Sequence, residues 1–206
     1  MKTKVDKSYK PIVIVGPCST GKSVLSSSIF GLHDRLNVDS LITYMGFGSA
    51  VPYKELFDEL EFYVFTQQYK VFDIGGSTIS CMPPEFQARF KQIFKDATIV
   101  EIRPHPNDQV SYNFLKKMIM AEKDTPKNRK LELVEGVKYD LSSKFIKQII
   151  TMPTIYTLQK IKGGKKLLSP LMPADKMRGL YIRGLYSIKE QIAEEIANAS
   201  ATSFGE

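Results

Sequence analysis

The sequence predicts an α/β protein in which helices cover both faces of a mostly parallel sheet. Short apolar runs rich in β-branched residues, such as Ile12–Val15 and Val71–Ile74, are typical of buried strands. Longer stretches with apolar residues at helical spacing, such as Lys54–Gln67, alternate with these runs. Alternating strands and helices favour βα units, and therefore a three-layer α/β/α arrangement around parallel strands.

The first strand leads directly into a glycine-containing string, GPCSTGKS at 16–23, which completes the pattern G-x-x-x-x-G-K-[ST]. A helix-like run follows, with Val24, Leu25 and Ile29 spaced for one face. Strand, loop and helix in this order are the context of a phosphate-binding loop. The predicted nucleotide-binding residues are Gly16, Pro17, Cys18, Ser19, Thr20, Gly21, Lys22, Ser23 and Val24.

The chemistry of phosphate binding explains these residue types. Glycine lets backbone N–H groups turn towards a phosphate, because a Cβ would obstruct the approach. In such a loop Lys22 reaches the β- and γ-phosphates, and the hydroxyl of Ser23 binds Mg²⁺. The following helix adds the positive end of its dipole. We therefore expect ATP and Mg²⁺ at this loop.

The amino-acid composition limits the classes of protein to which this chain can belong. The 206 residues are 43% hydrophobic and 25% charged, which predicts one globular domain over 1–206 with a proper core. The sequence has neither a signal-peptide pattern nor an apolar run long enough for a membrane span, so no membrane partner is expected. Two cysteines, Cys18 and Cys81, form no metal-binding spacing, and a reduced thiol in the loop favours a cytoplasmic location.

The net charge of +7 raises the question of a nucleic-acid partner. The sequence shows neither zinc-finger nor helix-turn-helix spacing, and a protein that handles phosphates also carries extra Lys and Arg. Nucleic-acid binding is possible but not favoured.

The second half of the chain is predicted less uniformly. Pro84–Lys95 and Asn107–Ala121 are expected to be helices, and Thr98–Ile102 a strand. Residues 122–140 are polar and predicted to be irregular, as in a mobile lid. A helix is expected over Leu141–Met152. The divergent segment 151–182 includes Thr154–Leu168, which is expected to form a hairpin or a plain loop that turns at Gly163–Gly164. A final helix is expected over Ser187–Asn198.

Ligands of open α/β sheets bind beyond the carboxyl ends of the strands, which directs attention to two further segments. In Asn37–Asp39 a carboxylate could face Mg²⁺ or accept a proton from a substrate hydroxyl; the alternative is a helix cap. In Asp73–Ser77, Asp73 is a candidate metal carboxylate, while Gly75, Gly76 and Ser77 would admit an acceptor close to the backbone. The alternative for the glycines is a tight turn that needs positive φ.

Cationic residues provide a third candidate set, which comprises Arg103 and Lys127–Lys130. Phosphoryl transfer spreads charge over the equatorial oxygens, and an arginine such as Arg129, carried by a closing lid, can stabilise that charge. The alternative is a solvated surface.

These residues together resemble the shikimate kinase family and its neighbours among the P-loop small-molecule kinases. The resemblance covers roughly residues 10–131: Gly16–Ser23, Asn37–Ile42, Val71–Ser77, the helix from Pro84, and Lys127–Leu131. It implies Mg-dependent transfer of the γ-phosphoryl group of ATP to a small hydroxylated or nucleotide acceptor. Lys22, Asp39 and Arg129 would be catalytic, Ser23 and Asp73 would serve the metal, and Asp39, Gly75, Gly76 and Ser77 would serve the acceptor.

The departures from that family limit the implication. Asn37 stands where the family has the first Asp of D-x-D, Ser77 replaces its third glycine, and Asp58 stands where its arginine binds the substrate carboxylate. Shikimate itself is therefore not expected as the acceptor.

A second resemblance competes with the first. Phe72–Ser77 and Val100–Asp108 are similar to segments of plasmid-partition and cell-division positioning ATPases. That resemblance implies an ATPase switch that acts on a protein or DNA partner. The sequence leaves open the acceptor, the choice between ATP and GTP, whether Asp73 or Asn37 supports the metal, and whether the protein is a monomer or a homodimer.

Overall fold

The computed structural model describes residues 8–46, 51–142, 149–159, 167 and 172–202. The chain forms an α/β fold around a five-stranded sheet in which every paired strand is parallel. The strands are β1 (Ile12–Val15), β2 (Arg35–Asn37), β3 (Val71–Asp73), β4 (Thr98–Arg103) and β5 (Ile149–Pro153). The helices are α1 (Lys22–Phe30), α2 (Val38–Tyr44), α3 (Tyr53–Thr66), α4 (Gly76–Ser80), α5 (Pro84–Ile93), α6 (Asp108–Met120), α7 (Lys127–Ser142), α8 (Thr154–Gln159) and α9 (Ala174–Thr202).

The strand order is β2-β3-β1-β4-β5, which places β1 at the centre of the sheet. In the register, Ile14 of β1 lies beside Asp73 of β3 on one side and Val100 of β4 on the other. The carboxyl ends of β1, β2 and β3 therefore open onto the same edge. This edge carries three of the segments in which the sequence predicts a site: 16–23, 37–39 and 73–77.

Successive residues of the central strand face two separate apolar clusters. Ile14 packs in one cluster with residues of α1, α6, α7 and α9, whereas Val13 and Val15 pack in the other with residues of α3, α4 and α5. Because strand side chains alternate between faces, the two clusters lie on opposite faces of the sheet. The arrangement is compatible with the predicted three layers.

The first half of the chain follows the prediction closely. The strands at 12–15, 71–73 and 98–103 and the helices α3, α5 and α6 lie within one or two residues of their expected bounds. Their signals are local: β-branched apolar runs for the strands, and a regular apolar face for each helix.

The predicted irregular segment at 122–140 is wrong, because most of it is helix α7. Val134 and Val137 are buried against the core, and Leu141 continues the same face. Most of the remaining positions are polar and exposed or partly exposed, so the segment is polar on average although it has one apolar face. A prediction based on the polar average composition of the segment therefore missed the helix.

The predictions beyond residue 141 are also corrected. Residues 149–153, expected at the end of a helix, form edge strand β5, which pairs with β4. The expected hairpin is instead helix α8 where it is described, and its turn at Gly163–Gly164 lies outside the described residues. The final helix begins 13 residues earlier than expected, at Ala174 rather than Ser187.

Helix α9 spans 29 residues and buries a long face that includes Tyr181 and Leu185. Within the ranges that the structure describes, no helix is both long enough and apolar enough to cross a membrane.

Candidate functional site

The loop at 16–23, called here the glycine loop, leaves β1 and enters α1 through unusual backbone conformations. Gly16 has φ 139° and Gly21 has φ 82°, while Ser19 has φ 61°. A Cβ on Gly16 would lie 2.2 Å from the carbonyl oxygen of Ile102, and one on Gly21 would lie 2.2 Å from Leu185. Both glycines are therefore required by the left-handed backbone and by close packing.

The side chain of Lys22 folds back across the glycine loop. Its Nζ donates a hydrogen bond to the carbonyl oxygen of Pro17 at 2.9 Å, and the hydroxyl of Thr20 donates to the same oxygen at 2.9 Å. Lys22 is only 8% exposed. The ammonium group is thus held at the glycine loop.

Helix α9 supports the loop from the other end of the chain. The fully buried hydroxyl of Tyr181 donates a hydrogen bond to the backbone carbonyl of Thr20 at 2.8 Å. It also lies 2.6 Å from Oγ1 of Thr154 at the start of α8. The segment at 151–182, described as divergent from the sequence, therefore contributes Thr154 and Tyr181 to the support of the loop.

Asp73, predicted as a metal carboxylate, lies buried behind α1 at 3% exposure. Its Oδ2 accepts a hydrogen bond from the hydroxyl of Ser26 at 3.0 Å and lies 3.4 Å from the guanidinium of Arg35. Arg35 also donates to the backbone carbonyl of Ser23 at 2.9 Å. These contacts tie β3 and β2 to the first turns of α1, whereas the side chain of Ser23 is exposed.

Asn37 and Asp39, the two polar residues of the segment at 37–39, have different roles. Asn37, not Asp39, is the cap of α2: its Oδ1 accepts a hydrogen bond from the backbone N–H of Ser40 at 2.9 Å. The cap alternative considered for Asp39 is therefore wrong. Asp39 lies in the first turn of α2 and lines the same cavity as Lys22.

Gly75 and Gly76 are needed for close approach and not for a positive-φ turn. Gly75 has φ −62°, and neither residue is among the positive-φ glycines of the described chain. A Cβ on Gly75 would lie 2.5 Å from a carboxylate oxygen of Asp39, and a Cβ on Gly76 would lie 2.5 Å from Oδ2 of Asp140. Each glycine therefore makes room for one carboxylate.

Asp140, on α7, lines the same cavity and was not among the residues predicted from the sequence. Its Oδ1 accepts a hydrogen bond from the hydroxyl of Ser80 at 2.7 Å. Partial burial raises the pKa of Asp140, and the charge of Asp39 raises it further, while Ser80 and Lys22 act in the opposite direction. No local motif marks this residue, because it lies within a helix that the sequence did not predict.

The pKa of Asp39 is also raised, chiefly because surrounding protein atoms displace water from the carboxylate. Lys22 and the backbone N–H of Gly75 oppose the shift, while Asp73 adds to it. The solvent still reaches Asp39 through the cavity. A carboxylate with a raised pKa and an open face is suited to accept a proton.

A cavity of about 430 Å³ collects most of these groups. It extends from the glycine loop to α7, and five helices, α1, α2, α3, α4 and α7, contribute side chains to it. Its lining residues are Cys18, Lys22, Asp39, Val51, Tyr53, Gly75, Gly76, Ser77, Cys81, Arg129, Glu132, Leu133, Gly136 and Asp140. The cavity thus brings together Cys18, Lys22, Asp39, Gly75–Ser77 and Arg129. The predicted metal carboxylate Asp73 lies outside its lining, and so do the other predicted nucleotide-binding residues: Gly16, Pro17, Ser19, Thr20, Gly21, Ser23 and Val24.

The two arginines predicted as candidates have different surroundings. Arg129 lies at the start of α7 on the cavity lining, where its guanidinium pairs with Glu132 at 2.9 Å. It is 61% exposed and therefore belongs to the rim. Arg103 lies at the end of β4 and pairs with Glu101 and Asp108, outside the lining of the cavity.

Both cysteines are free thiols that line the cavity. Burial raises the pKa of Cys18 to about 11, so this thiol stays protonated at neutral pH. Cys81 is exposed and follows Ser80, the hydrogen-bond partner of Asp140.

The part of the chain that the structure describes contains no group of three or more His, Cys, Asp or Glu residues placed to hold a metal ion. Comparison of the sequence with protein-family models gives no match, and comparison with curated proteins gives none either.

Proposed function

We propose that this protein is an ATP-dependent phosphotransferase of the P-loop NTPase fold, which transfers the γ-phosphoryl group to a small acceptor. The observation that carries the proposal is the cavity of about 430 Å³ that joins Lys22 of the glycine loop to Asp39, Gly75 and Gly76. A cavity of this size is in the range of small-molecule sites. It provides an acceptor site next to the group expected to hold the phosphates.

The glycine loop would hold the nucleotide. Its left-handed glycines shape the backbone before any ligand binds, and α1 begins directly after Gly21. Lys22, already held at the loop by Pro17, would exchange that carbonyl for phosphate oxygens. Arg129 at the rim would add positive charge over the phosphates.

Asp39 would serve as the base in transfer. The acceptor hydroxyl oxygen forms a bond to the γ-phosphorus while the bond from that phosphorus to the β–γ bridging oxygen breaks. Asp39 takes the hydroxyl proton, and ADP leaves with the bridging oxygen. Because its pKa is raised, Asp39 takes up a proton more readily than an ordinary aspartate does.

The residues fit Mg²⁺ in part. Ser23 has an exposed side chain at the start of α1, as a hydroxyl ligand requires. Asp73 is less suitable as a direct ligand, because its Oδ2 is already bound by Ser26 and lies near Arg35. When bound, Mg²⁺ would neutralise phosphate charge, and Asp73 would orient α1 beneath the loop.

The test is ADP release by the purified protein with ATP and Mg²⁺, alone and with a panel of small hydroxylated acceptors. The proposal expects strong stimulation by at least one acceptor and loss of turnover in Lys22→Ala. Slow turnover that changes only with DNA or a protein extract would instead support the partition-type ATPase switch. We expect the protein to act in the cytoplasm. Gel filtration with and without ATP would distinguish a monomer from a homodimer.

A further inference from the structure

We infer that the acceptor carries a positively charged amine next to the hydroxyl that is phosphorylated, and that Asp140 binds this amine. The inference rests on the proposed function and adds the chemical class of the acceptor. It follows from the charges around the cavity, from the position of Asp140, and from the contacts that Lys22 and Arg129 already make with other groups.

The described lining of the cavity carries more negative than positive charge. Three carboxylates line it, Asp39, Glu132 and Asp140, against two cations, Lys22 and Arg129. Arg129 is paired with Glu132 at 2.9 Å in the structure and would turn to the phosphates once a nucleotide is bound, so it is not left for an acceptor in either case. Lys22 is bound to the loop carbonyl of Pro17 and would be used by the phosphates. Asp39 and Asp140 thus remain as the charged groups that face an acceptor.

Asp140 has one oxygen fixed and one directed towards the space beside Gly76. Ser80 donates to Oδ1 at 2.7 Å, whereas Oδ2 lies against Gly76, 2.5 Å from where a Cβ on that residue would be. The hydrogen bond fixes the orientation of the carboxylate, and the missing side chain of Gly76 leaves room for it at the cavity lining. An ammonium group placed there would gain a charge-assisted hydrogen bond.

An anionic acceptor would be disfavoured at the same place. Its carboxylate or phosphate would face the carboxylates of Asp39 and Asp140, and like charges at short range repel each other. The bound nucleotide would add more negative charge. This local excess of negative charge has the opposite sign to the net charge of the protein, which is +7.

The exposed thiol of Cys81 allows the local potential to be measured without knowledge of the acceptor. The protein, in EDTA and without nucleotide, is treated with one of two methanethiosulfonate reagents, the trimethylammonium-ethyl cation or the sulfonatoethyl anion. Modification of Cys81 is followed by peptide mass spectrometry, which separates it from Cys18. Each rate is divided by that of the same reagent with free 2-mercaptoethanol, so that intrinsic reactivity cancels.

The expected result is a normalised preference of Cys81 for the cationic reagent, although the net charge of the protein would favour the anion. Asp140→Asn should reduce that preference about fivefold, because it removes one charge a short distance from the thiol. The matched control is Asp96→Asn, an exposed carboxylate between α5 and β4 at the other end of the sheet, which should leave the preference unchanged.

Equal normalised rates, or faster modification by the anion, would overturn the inference. A cationic preference that survives Asp140→Asn would overturn the role of Asp140. Neither outcome depends on nucleotide binding or turnover, so failure here is distinct from failure of the proposed function.

A second measurement compares acceptors of one skeleton: glucosamine, glucose and glucuronate, together with amino alcohols and the corresponding hydroxy acids. Within every skeleton that stimulates ADP release, the amine should be the best acceptor, and Asp140→Asn should remove its advantage over the neutral compound. A hydroxy acid that is preferred over its amine would contradict the inference while supporting phosphotransfer.

Discussion

The hydroxyl of Tyr181 donates a hydrogen bond to the backbone carbonyl of Thr20 at 2.8 Å, across 161 residues of chain. Tyr181 is completely buried, and its oxygen also lies 2.6 Å from Oγ1 of Thr154. Burial raises the pKa of Tyr181 far above its usual range, so the hydroxyl remains a donor at every relevant pH. This contact makes the glycine loop dependent on the C-terminal third of the protein.

Tyr181→Phe should therefore weaken both the fold and nucleotide binding. The substitution leaves the Thr20 carbonyl buried without its donor, which costs about 1–3 kcal/mol in the free energy of unfolding. Urea denaturation measures that loss, and calorimetry with ATP measures the expected weaker binding. Tyr186→Phe is the control, since Tyr186 lies on the same helix and is 51% exposed; it should change the free energy of unfolding by less than about 0.5 kcal/mol. Equal effects of the two substitutions would exclude a special role for the Tyr181 hydroxyl.

Asp39→Asn should remove transfer to the acceptor while leaving ATP affinity nearly intact. A positioned base contributes roughly 100-fold or more to the rate, and asparagine cannot accept the proton. Stopped assays of phosphorylated product measure kcat, and ATP titration measures binding. Loss of ATP affinity in this variant would instead assign Asp39 to the metal or the phosphates.

The pH dependence of the wild-type protein follows from the same carboxylate. A base must be ionised to act, so kcat/KM should fall as the pH decreases through the pKa of Asp39. Because that pKa is raised, the inflection should lie above about 3.9, the value of an ordinary aspartate. A profile that is flat down to that value would show that Asp39 does not limit the reaction.

Asp140→Asn should stabilise the protein at neutral pH. The raised pKa of Asp140 means that the fold prefers its protonated form, so this carboxyl contributes stability below about 3.9 that is lost as the pH rises through its folded pKa. Asparagine is neutral at every pH and can still accept the hydrogen bond from Ser80. Thermal unfolding should show a gain of a few degrees at pH 7 that disappears near pH 3. A variant that is less stable at pH 7 would contradict this sign.

Gly76→Ala should destabilise the site in a way that Gly136→Ala does not. The new Cβ at residue 76 would lie 2.5 Å from Asp140 and 2.8 Å from the carbonyl oxygen of Gly16, a clash that costs roughly 1–3 kcal/mol in the free energy of unfolding. Gly136 also lines the cavity, but nothing lies within 4 Å of an added Cβ there. Since it is inside α7, alanine at 136 should stabilise the helix by about 0.5–1 kcal/mol. Chemical denaturation compares the two variants, and a gain in stability on Gly76→Ala would contradict the described packing.

The sequence predicted best where the signal was local and continuous. β1 was a run of four apolar residues followed by a motif with fixed spacing, and α6 had a regular apolar face capped by Asn107. Asp39, Gly75 and Gly76 could be proposed together because parallel strands bring their carboxyl ends to one edge.

The remainder depended on contacts between distant segments. Asp140 reaches the cavity only because α7 packs across α4, where Ser80 binds its carboxylate. The Tyr181 hydroxyl has a role only through a backbone carbonyl 161 residues away. Asp73 had the expected position at a strand end, yet its partner Arg35 comes from the neighbouring strand β2. Such pairings leave no periodic signal in the sequence.

The most direct test of phosphotransfer is ATP turnover by wild-type protein and Lys22→Ala, with and without the acceptor panel. We expect one acceptor to stimulate ADP release with formation of a phosphorylated product, and Lys22→Ala to reduce kcat/KM about 100-fold or more. Lys189→Ala on α9 is the control and should behave as wild type. Turnover that no small molecule stimulates, or that is unchanged in Lys22→Ala, would contradict the proposed function.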